Sequence, residues 1–327
     1  MQFLGKEEAV RRMNAWSASA TPFVFVVGYD GETCYVERPE QISPSEMLYD
    51  FNGQSNVPAG EMGSPGLTTW NPSPVPYPEY KKAFDKVMYH IWAGNTFLAN
   101  LTCATPVNTN LSLRELFHRA SAPYKLWMKD RFAVFSPEIF VRIRNGCISS
   151  YPMKGTIDAT LPDAPARILN DPKEAAEHAT ITDLIRNDLS ITAEHVSVRR
   201  YRYIDKVRTH NGSLLQVSSE ICGHLSGDSA RRLGDILFSL LPAGSVTGAP
   251  KAKTVSVIAE AETGSRGFYT GVAGYFDGEN LDSAVLIRFI EQCEGRMIFH
   301  SGGGITSRSL PESEYEEMKQ KVYVPVY

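Results

Sequence analysis

Two short apolar segments, residues 140–144 and 147–150, are separated by nothing but Asn145-Gly146. Asn-Gly suits a two-residue hairpin turn whose central residues both take positive φ, so the segments are expected to fold back on each other as antiparallel strands. The run Pro22-Phe-Val-Phe-Val-Val-Gly-Tyr29, closed by Asp30-Gly31 before residues 33–37, carries the same signal. Further strands are predicted over 96–105, 124–135, 196–204, 207–210, 214–225, 271–276, 283–291 and 296–301. Helical patterns at 7–16, 79–93, 113–120, 171–185, 230–240 and 251–262, and one starting near Ser309, fall between blocks of strands. They do not alternate with strands one for one, and this favours an α+β class with large antiparallel sheets. Residues 51–78 are rich in Gly, Ser, Asn and Pro. They are predicted to be a long loop joining an N-terminal segment, 1–76, to the main body, 77–327.

Bulk properties exclude several classes. A chain of 327 residues can bury a sizeable core, as one large domain or two. Its formal charge of -4, from 33 basic and 37 acidic residues, leaves no electrostatic footprint for nucleic acid. No apolar run reaches the ~20 residues of a membrane span, and residues 1–16 lack the apolar stretch of a signal peptide. The five cysteines, Cys34, Cys103, Cys147, Cys222 and Cys293, are far apart without a CxxC. Neither a zinc site nor a disulfide framework is expected, and a reducing cytoplasm fits that usage.

The hairpin leads into Ser150-Tyr-Pro-Met-Lys-Gly-Thr156. Pro152 stiffens this stretch and Gly155 admits a tight turn, so Lys154 is presented from a constrained backbone. Taken alone it reads as a surface lysine, but other polar clusters lie downstream. Glu174/Glu177 and Glu314/Glu317 are two Glu-x-x-Glu pairs, each on one face of a predicted helix. Like charges so placed suggest a cation, and oxygen-only ligands favour Mg²⁺. Glu174 also fits a capping box with Asp171, with Pro172 in the first helical position, which makes Glu177 the better ligand. Ser309 and Glu312 suggest a second box.

Lys321 follows Glu317 by four residues, either as a simple ion pair or as a grip on a bound carboxylate. Gly302-Gly303-Gly304 after a strand can form an anion-binding nest. Residues 242–251 look like a phosphate loop but fail: Lys251 follows Gly248 by three residues, Pro250 intervenes, and no Ser or Thr follows the lysine. A glycine-rich junction offering Thr247 and backbone N–H groups remains. Arg288 sits in an apolar strand and needs a partner, either a structural carboxylate or a bound acid. Glu138, in Ser136-Pro137-Glu138, is a general acid if partly buried and a turn residue otherwise.

Together these motifs resemble the chorismate-utilising enzyme family, which includes component I of anthranilate synthase and of aminodeoxychorismate synthase, isochorismate synthase and salicylate synthase. The resemblance is carried by SPE (136–138), PMKGT (152–156), EAAEHATITDLIRND (174–188), PAGSVTGAPK (242–251), YTGVAGY (269–275), IRF (287–289), SGGGI (301–305) and ESEYEEMKQK (312–321). It covers about three quarters of the chain, in the family's order. It implies a two-lobed antiparallel β-sheet sandwich flanked by helices, with the N-terminal segment packed on the catalytic domain.

By that resemblance Glu177 and Glu317 would hold Mg²⁺ directly, with Glu174 and Glu314 assisting. Thr247 would belong to the substrate site, and Tyr269, Arg288, the Gly302–Gly304 backbone and Lys321 would grip the carboxylates of chorismate. Glu138 would protonate the departing C4 hydroxyl. Lys154 separates the subfamilies, because a lysine there resembles aminodeoxychorismate synthase and would attack C2 as a nucleophile. For that its pKa must fall from about 10.4, through a nearby cation or desolvation. Leu98 stands where isochorismate and salicylate synthases carry a lysine base, and no stretch matches the family's tryptophan-binding segment. The expected activity is amination of chorismate to 4-amino-4-deoxychorismate, on the route to p-aminobenzoate and folate. Ammonia would come from a separate glutamine amidotransferase subunit. Anthranilate synthase component I and a non-catalytic chorismate-binding subunit are the alternatives.

Overall fold

The computed structural model describes residues 1–60, 69–209, 212–227 and 231–325. Their strands form two nine-stranded sheets, and all the pairings are antiparallel. Phe23–Val27 and Cys34–Glu37 lie at one end of the first sheet, followed by Val272–Phe276, Leu281–Val285, Ile139–Arg144, Cys147–Ser150, Gly212–His224 and Met153–Asp158. Glu194–Thr209 also pairs with Gly212–His224. The second sheet is built around Leu98–Thr109, Arg296–Ile305, Phe289–Cys293, Phe132–Ser136, Tyr124–Met128 and Met47–Phe51.

Apolar runs without polar alternation end up buried on both faces. In Phe23–Val27, Phe23, Phe25 and Val27 pack with Ile181, Leu184 and Ile185 of the helix Pro172–Leu189. Val24 and Val26 face the other way, into a core shared with Tyr49, Leu126, Phe132 and Phe289 of the second sheet. Side chains alternate across a strand, so one strand can serve a helix layer and a sheet–sheet core at once. On the far side of the second sheet, Leu113, Leu116 and Phe117 of the helix Leu113–Arg119 cover Leu48, Trp127 and Phe135. The helices Tyr77–Trp92, Lys251–Ala261 and Pro311–Gln320 bury Ala99, Leu101 and Ile305. The expected sandwich of antiparallel sheets flanked by helices is the observed architecture.

Several local expectations change. Residues 283–291 are not one strand. The chain leaves the first sheet after Val285 and enters the second at Phe289, with Arg288 at φ 54. Residues 194–209 form one strand where two were expected, and residue 210 lies outside the described residues. The helix expected over 230–240 is observed as Leu233–Ser239, and residue 230 is not described. Part of the loop expected over 51–78 is strand, Gln54–Ser55 and Trp70–Pro72, with 61–68 outside the described residues. N-terminal strands join both sheets.

Cys147 and Cys222 are joined in a disulfide, although the cysteines were expected to stay unbridged. Pairing of Cys147–Ser150 with Gly212–His224 brings together residues 75 positions apart. Cys34, Cys103 and Cys293 are free.

Candidate active site

Two of the crossings between the sheets run side by side. Residues 137 and 138 carry the chain from Phe132–Ser136 into Ile139–Arg144, and residues 286–288 carry it back. The two crossings are tied by hydrogen bonds from the Val285 amide to the Glu138 carbonyl (3.1 Å) and from the Phe135 amide to the Arg288 carbonyl (3.2 Å). Beside them opens a cavity of about 220 Å³. Glu138, Lys154, Thr247, Tyr269, Arg288, Gly302, Gly303, Gly304 and Lys321 all line it, so residues drawn from 184 positions of sequence meet at one place.

Glu138 is buried. Ser136 Oγ accepts a bond from its amide (3.1 Å), and Ser245 Oγ donates to its Oε1. Burial lifts its carboxyl above the usual range, and the Ser245 hydroxyl, Lys321, Lys154 and Arg288 only partly oppose that. A carboxyl whose affinity for its proton is raised inside a cleft suits a general acid.

Lys154 lies within the strand Met153–Asp158 rather than in a turn. The register of this strand slips between Met153 and Thr156, and Gly155 at φ 79 forms the bulge. A bulge re-aims a side chain, and here Lys154 Nζ meets Glu177 Oε2 at 2.9 Å. A Cβ at Gly155 would fall 2.7 Å from Glu174 Oε2, so a larger residue there would also have to push that carboxylate aside. Burial pulls the Lys154 ammonium down, but Glu177, then Glu317 and Glu174, outweigh it and the pKa is raised. The lowering expected for a free amine is therefore absent: four carboxylates near one ammonium favour its charged form.

All four glutamates gather around Lys154 and Lys321. Burial first, then Glu177, raises Glu174; burial and Glu317 raise Glu314 against a hydrogen bond from Ser309. Glu317 is lowered instead: burial would raise it, but Lys321, whose Nζ lies 2.7 Å from its Oε1, wins. Oxygen donors carrying surplus negative charge suit a hard cation such as Mg²⁺. Among the described residues, however, no three such groups converge on one cation position. Lys154 and Lys321 occupy Glu177 and Glu317, and ammonium groups do locally what a cation would do.

Neither capping box closes. Asp171 Oδ1 accepts from the amides of Lys173 and Glu174, but the Glu174 carboxylate turns to Gly155. Ser309 Oγ accepts from the Thr306 amide, and Glu312 accepts from the Tyr77 hydroxyl (2.5 Å).

Gly302–Gly304 form no nest. They extend the strand Arg296–Ile305 and pair with Thr102, Leu101 and Asn100. On the other edge the partner strand stops opposite His300, so from Ser301 onward that edge has no strand partner. Lys321 Nζ donates to the Gly302 carbonyl (3.0 Å). A methyl on Gly303 would lie 3.9 Å from Lys321 Nζ, and one on Gly304 3.9 Å from Lys154 Nζ. The bare strand therefore runs directly beside both ammonium groups.

Arg288 has no carboxylate partner among the described residues; it lies 4.7 Å from the Tyr323 ring centre and donates to the Tyr323 hydroxyl (3.4 Å). Of its two expected partners, the bound acid remains. Thr247 is in the wall, but its hydroxyl donates to the Ala243 carbonyl (2.8 Å). Lys251 is spent on Asp188 and the Leu240 carbonyl, both at 2.9 Å.

Sequence reasoning missed Ser245, Asn100 and Ser301. Asn100 Oδ1 and Ser301 Oγ are buried in the cavity wall without a hydrogen-bond partner. Unpaired buried polar atoms are costly and mark where a ligand supplies the missing bond. Nothing local distinguishes these residues from other strand polars; only Ser301, adjoining the glycine run, carried a hint. Three cations, a carboxyl with a raised pKa and unpaired polar atoms make a receptor for a small multiply charged acid with a leaving group.

Comparison with known proteins agrees. The family model described as chorismate binding enzyme matches residues 38–326. A Haemophilus influenzae protein described as an uncharacterized PabA-like protein is 45% identical over 97% of this chain and 96% of its own. Anthranilate synthase component 1 of Acetivibrio thermocellus is 33% identical over 72% of the chain, and aminodeoxychorismate synthase component 1 of Klebsiella aerogenes 31% over 75%. The chain spans 50% and 56% of those two proteins. The crystal structure of MenF, the menaquinone-specific isochorismate synthase of Escherichia coli, has the same fold: TM-score 0.75, 18% identity, covering 98% of this chain and 82% of that one.

Proposed function

The chain belongs to the family of chorismate-binding enzymes, and on that premise we propose that it aminates chorismate at C4, giving 4-amino-4-deoxychorismate for p-aminobenzoate and folate synthesis. The observation that carries this reading is Lys154, set by a bulge at the cavity wall, with Glu138, whose carboxyl is shifted upward by burial, in the same cavity. A site that only bound chorismate would need neither a nucleophile nor a proton donor.

Arg288, Lys321 and the open edge of the glycine strand bind the two carboxylates. Lys154 first passes its proton to Glu177, 2.9 Å away; the neutral amine then forms a bond to C2, the ring electron pairs shift, and the C4–O bond breaks. Glu138 protonates the leaving oxygen, which departs as water. Ammonia then bonds to C4, the pairs shift back, and the C2–N bond to Lys154 breaks. The surplus proton returns to Glu138, and the enolpyruvyl ether is untouched. Glu177 and Glu317, assisted by Glu174 and Glu314, would hold Mg²⁺, which would supply positive charge against a substrate carboxylate. A separate glutamine amidotransferase subunit supplies the ammonia, in the cytoplasm. Among the described residues no helix is long and apolar enough to cross a membrane.

The test is product analysis of the purified chain with chorismate, ammonium chloride and Mg²⁺. The expected product retains the enolpyruvyl group, and glutamine does not replace ammonium. Anthranilate with released pyruvate would replace this reading by the anthranilate synthase one. Binding without turnover would reduce it to a chorismate-binding subunit.

A further inference from the structure

A second cavity, of about 380 Å³, lies against the first, and among the described residues His300 is the one that belongs to both walls. The two cavities differ in the charges on their walls. The substrate cavity presents Lys154, Lys321 and Arg288, with the Glu138 carboxyl and the Tyr269 hydroxyl both shifted upward by burial. The second presents Glu79, Glu262 and Glu291, with Arg266 as its counter-charge and the thiols of Cys103 and Cys293. Arg266 is already paired with Glu262 (2.7 Å), which leaves two carboxylates to set the field. A small cation is drawn into the second cavity by these carboxylates.

His300 is built to work at that boundary. It stands opposite Ala104 on one neighbouring strand and Phe289 on the other, and its ring lies 4.9 Å from that of Tyr269. Its Nε2 is 2.7 Å from Glu291 Oε1. Against an ionised carboxylate Nε2–H is the donor, which leaves Nδ1 as the ring's proton acceptor.

We propose that the second cavity takes up ammonium and that His300 removes its proton, so that neutral ammonia enters the substrate cavity. Ammonium gives one proton to Nδ1, forming an imidazolium opposite Glu291 and free ammonia. The proton leaves to water by way of Glu291, whose side chain is 38% exposed. The inference rests on the amination reading: a nucleophile that exists mostly as a cation at neutral pH must shed its charge before it reaches a carbon among lysines.

The experiment measures KM for ammonium chloride and for chorismate between pH 7 and 8.5 in wild type, Ala104→Trp and His300→Gln. Ala104 is exposed, lines the second cavity and takes no part in the substrate site, so a tryptophan there fills the space beside His300. Expected for Ala104→Trp is a rise of at least about tenfold in KM for ammonium, with KM for chorismate unchanged. In wild type, KM for total ammonium varies little with pH. In His300→Gln it falls about tenfold per pH unit, as free ammonia becomes the species used. Glu291→Gln, altered at a half-exposed surface position, is expected to resemble His300→Gln and decides the matter if the tryptophan variant does not fold. Wild-type KM and wild-type pH dependence in the variants would overturn the proposal while amination stands. A wild-type enzyme that turns chorismate over without taking up nitrogen would overturn both.

Discussion

The Lys154 ammonium lies 2.9 Å from Oε2 of Glu177, within an ion-pair cluster that Lys173 joins at 3.7 Å from Oε1. Burial opposes the charge on Lys154, and Glu177 does most to restore it. The stabilisation from this raised pKa is complete below the unfolded value of about 10.4 and is lost as pH rises through the higher folded one. Glu177→Gln removes the leading carboxylate, so Lys154 should titrate lower and react faster with an amine-directed reagent at pH 8–9. Peptide mapping of the modified protein measures this, and an unchanged rate at Lys154 would count against the pairing.

Mg²⁺ should stabilise the protein in the absence of substrate. A cation bound to the folded state alone stabilises it by about 2.7 kcal/mol at a hundred times its dissociation constant. Thermal unfolding with Mg²⁺ and with chelator is expected to show that shift in wild type and a smaller one in Glu177→Gln and Glu317→Gln. Identical melting temperatures with and without Mg²⁺ would remove the metal from the proposal.

Lys154→Ala is expected to lower the rate of aminodeoxychorismate formation by at least about 10³-fold while chorismate binding is kept. Some ammonia should then reach C2 directly, giving anthranilate-type product. Intact-protein mass spectra of quenched wild type should show a lysine–ring adduct. An alanine variant working at the wild-type rate, with no adduct ever seen, would eliminate the nucleophile.

Gly155→Ala should be destabilising by more than about 1 kcal/mol, because alanine is strained at positive φ. Its Cβ also meets Glu174 Oε2 at 2.7 Å. Denaturant midpoints measure the first effect. A fall in turnover larger than the loss of stability explains would show that the bulge aims Lys154.

His178 belongs to the helix that carries Glu174 and Glu177, and its Nε2 bonds Ser219 Oγ at 2.6 Å. Burial first, then Arg202 and Lys154, depresses its pKa to about 4. The unfolded chain therefore binds the proton more readily, and stability falls as pH drops from about 6.5 towards 4. The expected loss is on the order of 3 kcal/mol. His178→Gln, unable to titrate, should show a flatter profile by urea unfolding, and a wild-type profile equally flat would refute the assignment.

Much of the site was legible before folding because its signals are local. Spacing of three put Glu174 with Glu177 and Glu314 with Glu317 on shared helix faces, and both pairs converge on Lys154. Glycine marked Gly155 as a place of unusual backbone, although a bulge was observed where a turn was expected. Asn145-Gly146 does close its hairpin, and Ile139–Arg144 pairs with Cys147–Ser150.

Other features have no local signature. The apolar run around Arg288 reads as one strand because hydrophobicity cannot tell one sheet from another; the break comes from neighbours on two sheets. Cys147 and Cys222 are distant in sequence and adjacent only through strand register. Gly302–Gly304 could bend or extend, and pairing with Leu98–Thr109 decided for extension. Whether Glu177 faces a cation or Lys154, and that Asn100 and Ser301 lack partners in a shared wall, depends on side chains from separate elements. The amino-acid sequence by itself determined which segments are strands or helices, which polar residues share a helix face, and the family, since each rests on neighbours a few positions apart. Tertiary structure alone decided which charges meet, which are left uncompensated and where a cavity remains, because electrostatics and burial act through space between residues that the chain holds far apart.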